Sequence, residues 1–365
     1  MNIFKLVNVI DKKMTPFAVE PNLCTRIISP KGSCNSCVDY CPTNSISFMK
    51  NKIEMNDQCV ECGLCTTVCP TSAISLQRPS LNQLVTDIIQ KCVQNERVYL
   101  HCKRKPISDS EISSISVPCL GMIPREVWVS INRMCDNLAV YHPDESCRHC
   151  EVSQGEEVWK KELDAGEAMS GKTFLITAGI QKSKQQPQYD HNRRSFFTTL
   201  FSEIKSTNKI AVREALGGSE IQSYREKLQE DPLSKVKKEW SAVSNRIVEK
   251  VTNESAFPYM NKRSLILKEI QKSVSLQNRY DYRLPTILPD CNFCGACTTL
   301  CPTNALLFEE KDGCTAITLQ PHKCVDCHLC EDICFFQNIL IQDQPNIQLL
   351  SNKIVLAEKP CPLSQ

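Results

Sequence analysis

The chain of 365 residues contains 24 cysteines, and most of them lie in four short runs. The second and third runs begin at Cys59 and Cys291, and both have the spacing C-x2-C-x2-C-x3-C-P. The fourth run begins at Cys324 and keeps this spacing, with Phe335 in the place of the proline. The first run is looser, because nine residues separate its first two cysteines. The runs are Cys24, Cys34, Cys37, Cys41; Cys59, Cys62, Cys65, Cys69; Cys291, Cys294, Cys297, Cys301; and Cys324, Cys327, Cys330, Cys334.

This spacing is typical of the ligation of two [4Fe–4S] clusters by two consecutive runs. Three cysteines two residues apart wrap around one face of a cuboidal cluster, and the fourth points towards the neighbouring cluster. The sequence therefore predicts four crossed quartets, here named quartets I to IV in chain order. Quartet I is Cys24, Cys34, Cys37 and Cys69; quartet II is Cys41, Cys59, Cys62 and Cys65; quartet III is Cys291, Cys294, Cys297 and Cys334; quartet IV is Cys301, Cys324, Cys327 and Cys330.

Two alternatives remain open for these runs. Structural zinc sites use two well-separated pairs of ligands rather than runs of four, so zinc fits the second, third and fourth runs poorly. In the first run Cys24 could be a bystander, which would leave three ligands and a [3Fe–4S] or labile cluster.

Short strands are predicted around each run, and they repeat between the two ends of the chain. This arrangement resembles bacterial-type two-cluster ferredoxins, over residues 20–78 and 286–345. The resemblance implies a small α+β fold that buries both clusters under its own backbone. The predicted strands are 45–50, 52–56 and 73–77 at the first end, and 305–309, 316–319 and 339–342 at the second.

The middle of the chain has a different pattern. Helical spacing of apolar residues predicts a helix over 80–95, and Pro124 suits the start of a second helix running to about Asn137. Strands alternate with these helices, which predicts a small parallel α/β sheet. The predicted strands are 97–101, 113–117, 138–142 and 173–178.

Four more cysteines follow the carboxyl ends of these strands, where open α/β sheets bind ligands. They are Cys102, Cys119, Cys147 and Cys150, named here the middle quartet, and they predict a further metal centre. Zinc is an alternative to iron, because four thiolates can form an ordinary structural zinc site, and a metal-free dithiol site is a second alternative. Cys92 and Cys135 lie within the predicted helices and are interpreted as buried apolar filler.

The stretch VPCLGMIPREVWVSINRMCDNLAVYHPDESCRHC resembles the iron–sulfur delta subunit of methyl-viologen-reducing hydrogenase, over residues 97–160. That resemblance implies a [2Fe–2S] cluster in the middle domain and electron transfer to a partner enzyme. The family often has additional cysteines near the first strand, whereas this chain has only Cys102 there.

The predicted fold class is α+β, with two ferredoxin-like dicluster modules flanking a small α/β domain and a helical region. The predicted boundaries are 1–79 and 286–365 for the modules, 80–180 for the α/β domain and 181–285 for the helical linker region. Within the linker, an amphipathic helix is predicted over 261–278.

Composition excludes several classes of function. A formal net charge of +2 gives no argument for binding nucleic acid. The sequence contains no apolar run long enough to span a membrane, and its first residues lack the pattern of a signal peptide. Clustered thiols in a reducing compartment usually bind metal, so a cytoplasmic location is expected.

These observations predict a multi-cluster iron–sulfur electron-transfer protein whose partner is a redox protein or an enzyme subunit. The prediction includes four [4Fe–4S] clusters and one [2Fe–2S] cluster, and no catalytic residue. Two alternatives stay open: a complete oxidoreductase that uses the middle quartet, and a redox sensor or metalloenzyme assembly factor.

Overall fold

The computed structural model describes residues 16–49, 52–77, 79–143, 145–180, 261–277, 279, 283–311, 313–344 and 353–359. Helices alternate with sheets of two, three or four strands in this part of the chain. The predicted α+β class is therefore confirmed. Most of the predicted helical region 181–285 lies outside the described residues.

The N-terminal module contains two antiparallel strand pairs. Strand β1 (Phe17–Val19) pairs with β4 (Ile74–Leu76), and β2 (Ile46–Met49) pairs with β3 (Lys52–Met55). The predicted pairing of 45–50 with 52–56 is thus confirmed. Each hairpin strand buries one isoleucine, as expected of strands with one face on the core. The cysteine runs include or adjoin three short helices: α1 (Thr25–Ile28), α2 (Ser36–Asp39) and α3 (Leu64–Val68).

The C-terminal module repeats this plan. Its first strand, β9 (Arg283–Ile287), pairs with β12 (Ile339–Asp343), and β10 (Leu306–Lys311) pairs with β11 (Cys314–Leu319). A further strand, β13 (Ile354–Lys359), extends the hairpin into a three-stranded sheet. Helices α9 (Ala296–Thr299) and α10 (Leu329–Ile333) lie within the cysteine runs.

The middle domain contains a four-stranded sheet in which every pairing is parallel. The strands are β5 (Val98–Cys102), β6 (Ser114–Val117), β7 (Leu138–Tyr141) and β8 (Leu175–Thr177), in the spatial order β6-β5-β7-β8. The predicted parallel sheet is therefore confirmed. Its helices are α4 (Leu81–Gln94), α5 (Arg125–Met134) and α6 (Gln154–Ser170).

The predicted C-terminal end of α5 was wrong, because the helix ends at Met134 and not near Asn137. The backbone is already extended at Cys135. The side-chain amide of Asn137 donates to the carbonyl oxygens of Cys92 and Asn95 at 2.8 and 2.6 Å. Asn137 therefore caps the C-terminus of α4. Because its side chain is used in this way, α5 does not continue for another turn.

The helix predicted over 261–278 is two helices, α7 (Asn261–Gln271) and α8 (Val274–Gln277). The amides of Lys272 and Ser273 bond to carbonyls three residues back, which ends α7. Leu265, Ile266 and Ile270 are buried, as the apolar pattern predicted. None of the described helices is long and apolar enough to cross a membrane.

Two buried clusters join the middle domain to the modules. One contains Val129 of α5, Ile266 of α7 and Ile287 of β9, so the middle domain, α7 and the C-terminal module share a core. The other contains Leu64 of α3 and Val158 of α6, so the N-terminal module also packs on the middle domain.

Candidate metal centres

The N-terminal module groups its cysteines in the crossed arrangement. One cavity is lined by Cys24, Cys34, Cys37 and Cys69, the four members of quartet I. A second cavity is lined by Cys41, Cys59, Cys62 and Cys65, the members of quartet II. In each cavity, three cysteines belong to one run and the fourth belongs to the other run.

Electrostatic interactions group the C-terminal cysteines in the same way. Burial, together with the nearby thiols of Cys291, Cys294 and Cys334 of quartet III, raises the pKa of the Cys297 thiol to about 12. Burial also raises the pKa of Cys327, with additional contributions from Cys324 and Cys301 of quartet IV. Each fourth cysteine therefore lies beside the partner run.

The backbone is left-handed at the same position of the second, third and fourth runs. Gly63 and Gly295 have φ values of 81° and 73°, in the left-handed region that glycine adopts readily. His328 occupies the corresponding position of the fourth run with φ 59°. Its imidazole contacts the carboxylates of Asp326 and Glu331 at 3.3 and 2.8 Å, which hold this less favoured conformation.

Backbone amide groups are directed at the sulfur atoms of the fourth cysteines in the first, third and fourth runs. The N–H groups of Ser45, Ala305 and Asn338 donate to Cys41, Cys301 and Cys334 at 3.2, 3.3 and 3.3 Å. In each case the donor lies four residues after the cysteine. Hydrogen bonds to ligand sulfur are a principal means of tuning iron–sulfur clusters.

The chemistry of the donor sets fits clusters of several irons. Burial raises the pKa of Cys37 to about 12, so this thiol alone would stay protonated at neutral pH. A bound metal supplies the positive charge that stabilises the thiolate. In the described part of the chain, no group of three or more His, Cys, Asp or Glu side chains is arranged to hold a single metal ion.

Cys24, whose role as a ligand was open, is buried and lines the quartet I cavity with the other three thiols. Its carbonyl oxygen accepts the amides of Ile27 and Ile28 in the first turn of α1. The long spacer before Cys34 thus folds as a helical turn that returns the chain to the cavity.

The middle quartet also lines one cavity. Cys102 ends β5, Cys119 follows β6, and Cys147 and Cys150 follow β7, so all four reach the carboxyl edge of the sheet. Burial raises the pKa of Cys119 to about 12, with contributions from Cys102 and from Cys62 of quartet II. Burial likewise raises the pKa of Cys147 to about 11.

Two further side chains line this cavity and were missed by sequence reasoning. His142 Nε2 lies 3.4 Å from Cys147 Sγ, and its ring packs on Trp159 with centroids 4.9 Å apart. Arg104 donates to the Pro118 carbonyl at 2.9 Å and pairs with Glu151. His142 directly follows β7, so its place at the sheet edge was the available signal. Cys92 and Cys135 are buried within the middle domain, which agrees with their interpretation as filler.

Quartets from different parts of the chain lie beside one another. Cys62 and Cys119 belong to the same buried cluster, which brings quartet II beside the middle quartet. The N–H and hydroxyl of Ser33 donate to the Asp332 carboxylate at 2.8 and 2.9 Å, which joins the two modules. A cavity of about 570 Å³ is bordered by Cys34 of quartet I and by Cys324 and Cys327 of quartet IV.

Comparison with protein families supports the modules. Both ends match the 4Fe-4S dicluster domain family. The matched residues are 32–73 and 290–338, so the first match begins after Cys24. These matches indicate an iron–sulfur electron-transfer function and imply up to four [4Fe–4S] clusters. Comparison with curated proteins and with solved structures gave no significant match, and the resemblance of the middle domain to a hydrogenase delta subunit has no support.

Proposed function

We propose that this protein is an electron relay in which five centres stand in series along one chain. Quartets I to IV would each hold a [4Fe–4S] cluster, and the middle quartet would hold a [2Fe–2S] cluster. The relay would carry electrons between a redox enzyme and an acceptor. The order is quartet III, quartet IV, quartet I, quartet II and the middle quartet. The observation that supports this proposal is that each quartet in this order lies next to the following one.

Within each module, the two quartets interact directly. Cys297 of quartet III contributes to the raised pKa of Cys330 in quartet IV. Cys37 of quartet I does the same for Cys65 in quartet II. Electrostatic coupling of this kind means that the two groups of thiols lie close together in a low-dielectric interior.

Between the modules, quartets IV and I border the same cavity, beside the bond from Ser33 to Asp332. At the other end, Cys62 and Cys119 share a buried cluster with Leu64. The series therefore runs from the C-terminal module through the N-terminal module to the middle domain.

The clusters, when bound, supply one-electron chemistry. The chain's residues supply the environment. Buried Leu64 and Val158 exclude water between quartet II and the middle quartet. The amides of Ser45 and Ala305 donate to ligand sulfur, which stabilises the thiolates at Cys41 and Cys301.

Metal content and magnetic coupling of the anaerobically purified full chain test this proposal. Four cuboidal clusters give about sixteen irons per chain, and the middle centre brings the total to about eighteen. After stepwise reduction, EPR signals of neighbouring clusters should broaden through spin–spin interaction. C119S should remove only the middle centre, whereas C92S, at a buried cysteine outside the quartets, should leave all centres intact.

Stoichiometric zinc with negligible iron would exclude the relay. A wild-type chain with about sixteen irons and one zinc, of which C119S loses only the zinc, would mean that the relay ends at quartet II. Full iron content with magnetically isolated clusters would contradict the serial arrangement.

A further inference from the structure

Helix α7 presents a buried lysine to the N-terminal module. Lys262 is only 8% exposed. Its ammonium group donates to the carbonyl oxygens of Thr66, Thr67 and Cys69 at 3.2, 2.9 and 2.5 Å. An ammonium group has three N–H donors, so these three carbonyls use all of them.

These acceptors lie at the C-terminal end of α3 and the residue that follows it. Carbonyl groups at a helix C-terminus have no partners within the helix and carry partial negative charge. Lys262 satisfies them, and the last of them belongs to Cys69, a member of quartet I. A full positive charge is thereby fixed beside that cysteine.

The next residue of α7 makes the matching contact with the C-terminal module. Arg263 is also 8% exposed. Its guanidinium donates to the carbonyl oxygens of Pro321 and His322 at 3.2 and 3.4 Å, in the 3₁₀ turn that precedes Cys324.

Consecutive residues of a helix point in directions about 100° apart, so they reach different neighbours. Here one points to quartet I and the other to quartet IV. These are the two quartets that border the cavity between the modules. Helix α7 is held by packing of its own, because Leu265, Ile266 and Ile270 are buried.

We infer that Lys262 and Arg263 are paired positioning residues that hold quartets I and IV together and raise the reduction potentials of the clusters bound there. The inference rests on the proposed function, because it concerns clusters held by these quartets. Reduction adds one negative charge to a cluster, and a fixed cation nearby stabilises the reduced form. Lys262 acts on quartet I and Arg263 on quartet IV.

Redox titration of the full chain, followed by EPR, tests the two charges separately. K262M should lower the equilibrium constant for reduction of the quartet I cluster about tenfold, which is about 59 mV for one electron. R263M should do the same for the quartet IV cluster. The potential of the quartet III cluster should stay unchanged in both variants. K268M removes an exposed lysine of the same helix and serves as the matched control.

The conservative variants separate charge from folding. K262R and R263K keep the charge and should restore the potentials close to those of the wild type. If K262M fails to retain the quartet I cluster, the R263M titration still decides the inference.

Unshifted potentials in K262M and R263M with full iron content would overturn the inference, as would an equal shift in K268M. Failure of the proposed function would look different, because the wild-type chain itself would then lack the iron of quartets I and IV or would hold magnetically isolated clusters.

Discussion

A methyl group added at Gly155 would stand 2.6 Å from Cys119 Sγ, closer than real Cβ atoms come to a neighbour. Gly155 lies in the first turn of α6, and Cys119 lies at the edge of the parallel sheet. The absence of a side chain at Gly155 thus gives the Cys119 sulfur its place in the middle cavity.

We therefore expect G155A to displace Cys119 and to release the metal of the middle quartet, while the irons of quartets I to IV remain. Overpacking of this kind costs about 1–3 kcal/mol. Metal analysis and EPR of the anaerobic protein provide the measurement. G166A is the matched control, because Gly166 lies in the same helix as Gly155. Its added methyl group would stand 2.6 Å from Trp128 Cβ of α5 and would not touch a cysteine. Equal metal loss in both variants would contradict a specific role for Gly155.

The crossed quartets predict which thiols lose protection when one ligand is removed. In C41A, the thiols of Cys59, Cys62 and Cys65 should become open to alkylation, whereas Cys34 and Cys37 stay protected. In C69A the pattern should reverse, because Cys69 shares its cavity with the first run. Mass spectrometry after anaerobic alkylation reads both patterns, with C135A as a control outside the quartets. Loss of protection confined to the mutated run would refute the crossing.

Glu162 ties α6 to the start of α5. Its carboxylate accepts from the Arg125 backbone amide, Nε and Nη2 at 2.9, 2.9 and 2.7 Å. Burial opposes ionisation of Glu162, but the hydrogen bonds and charge of Arg125 outweigh it and lower the pKa. E162Q should therefore reduce the free energy of unfolding by about 1–3 kcal/mol at pH 7.

The lowered pKa also fixes how this loss depends on pH. The stabilising effect of Glu162 is fully present above the unfolded pKa of about 4.5, and it is lost as pH falls through the lower folded pKa. In urea unfolding, the difference in the free energy of unfolding between E162Q and the wild type should be the same at pH 8 and at pH 6. It should shrink only below pH of about 4.5. D164N, at an exposed carboxylate of the same helix, should match the wild type. A difference that grows towards acid pH would contradict this assignment.

The contact between Ser33 and Asp332 predicts a change in coupling between the modules. D332A removes the acceptor of two hydrogen bonds at this junction, which should cost about 1 kcal/mol or less because the groups are exposed. The spin–spin interaction between the clusters of quartets I and IV should weaken, while that between quartets I and II should not. EPR power saturation measures the interaction in both pairs of clusters. The control is D290A, which alters an exposed carboxylate elsewhere in the C-terminal module. Coupling that is unchanged in D332A would remove this contact from the relay.

Cysteine spacing and local periodicity predicted much of this molecule. The hairpin containing Ile46 and the parallel strands ending near Cys102 both depend on residues close in sequence. Such features follow from residue type and short-range geometry.

Other features depend on distant partners and gave no local signal. The strand predicted over 73–77 is β4, but its partner β1 has only three residues and lies more than fifty residues earlier, so no turn marks the pair. Helix α6 was missed because Gly155 and Gly166 interrupt its apolar stripe, although both glycines permit close packing. Lys262 reads as an ordinary surface lysine until its carbonyl partners are known.

The contact between Lys262 of α7 and the N-terminal module has a consequence for biosynthesis. Lys262 follows Cys69 by 193 residues in the chain. At a synthesis rate of about 5–20 residues per second, roughly 10–40 s pass between the two on the ribosome. Throughout that interval the carbonyls of Thr66, Thr67 and Cys69 lack their ammonium donor. The contact between α7 and the N-terminal module can therefore form only after every cysteine of quartets I and II has been synthesised.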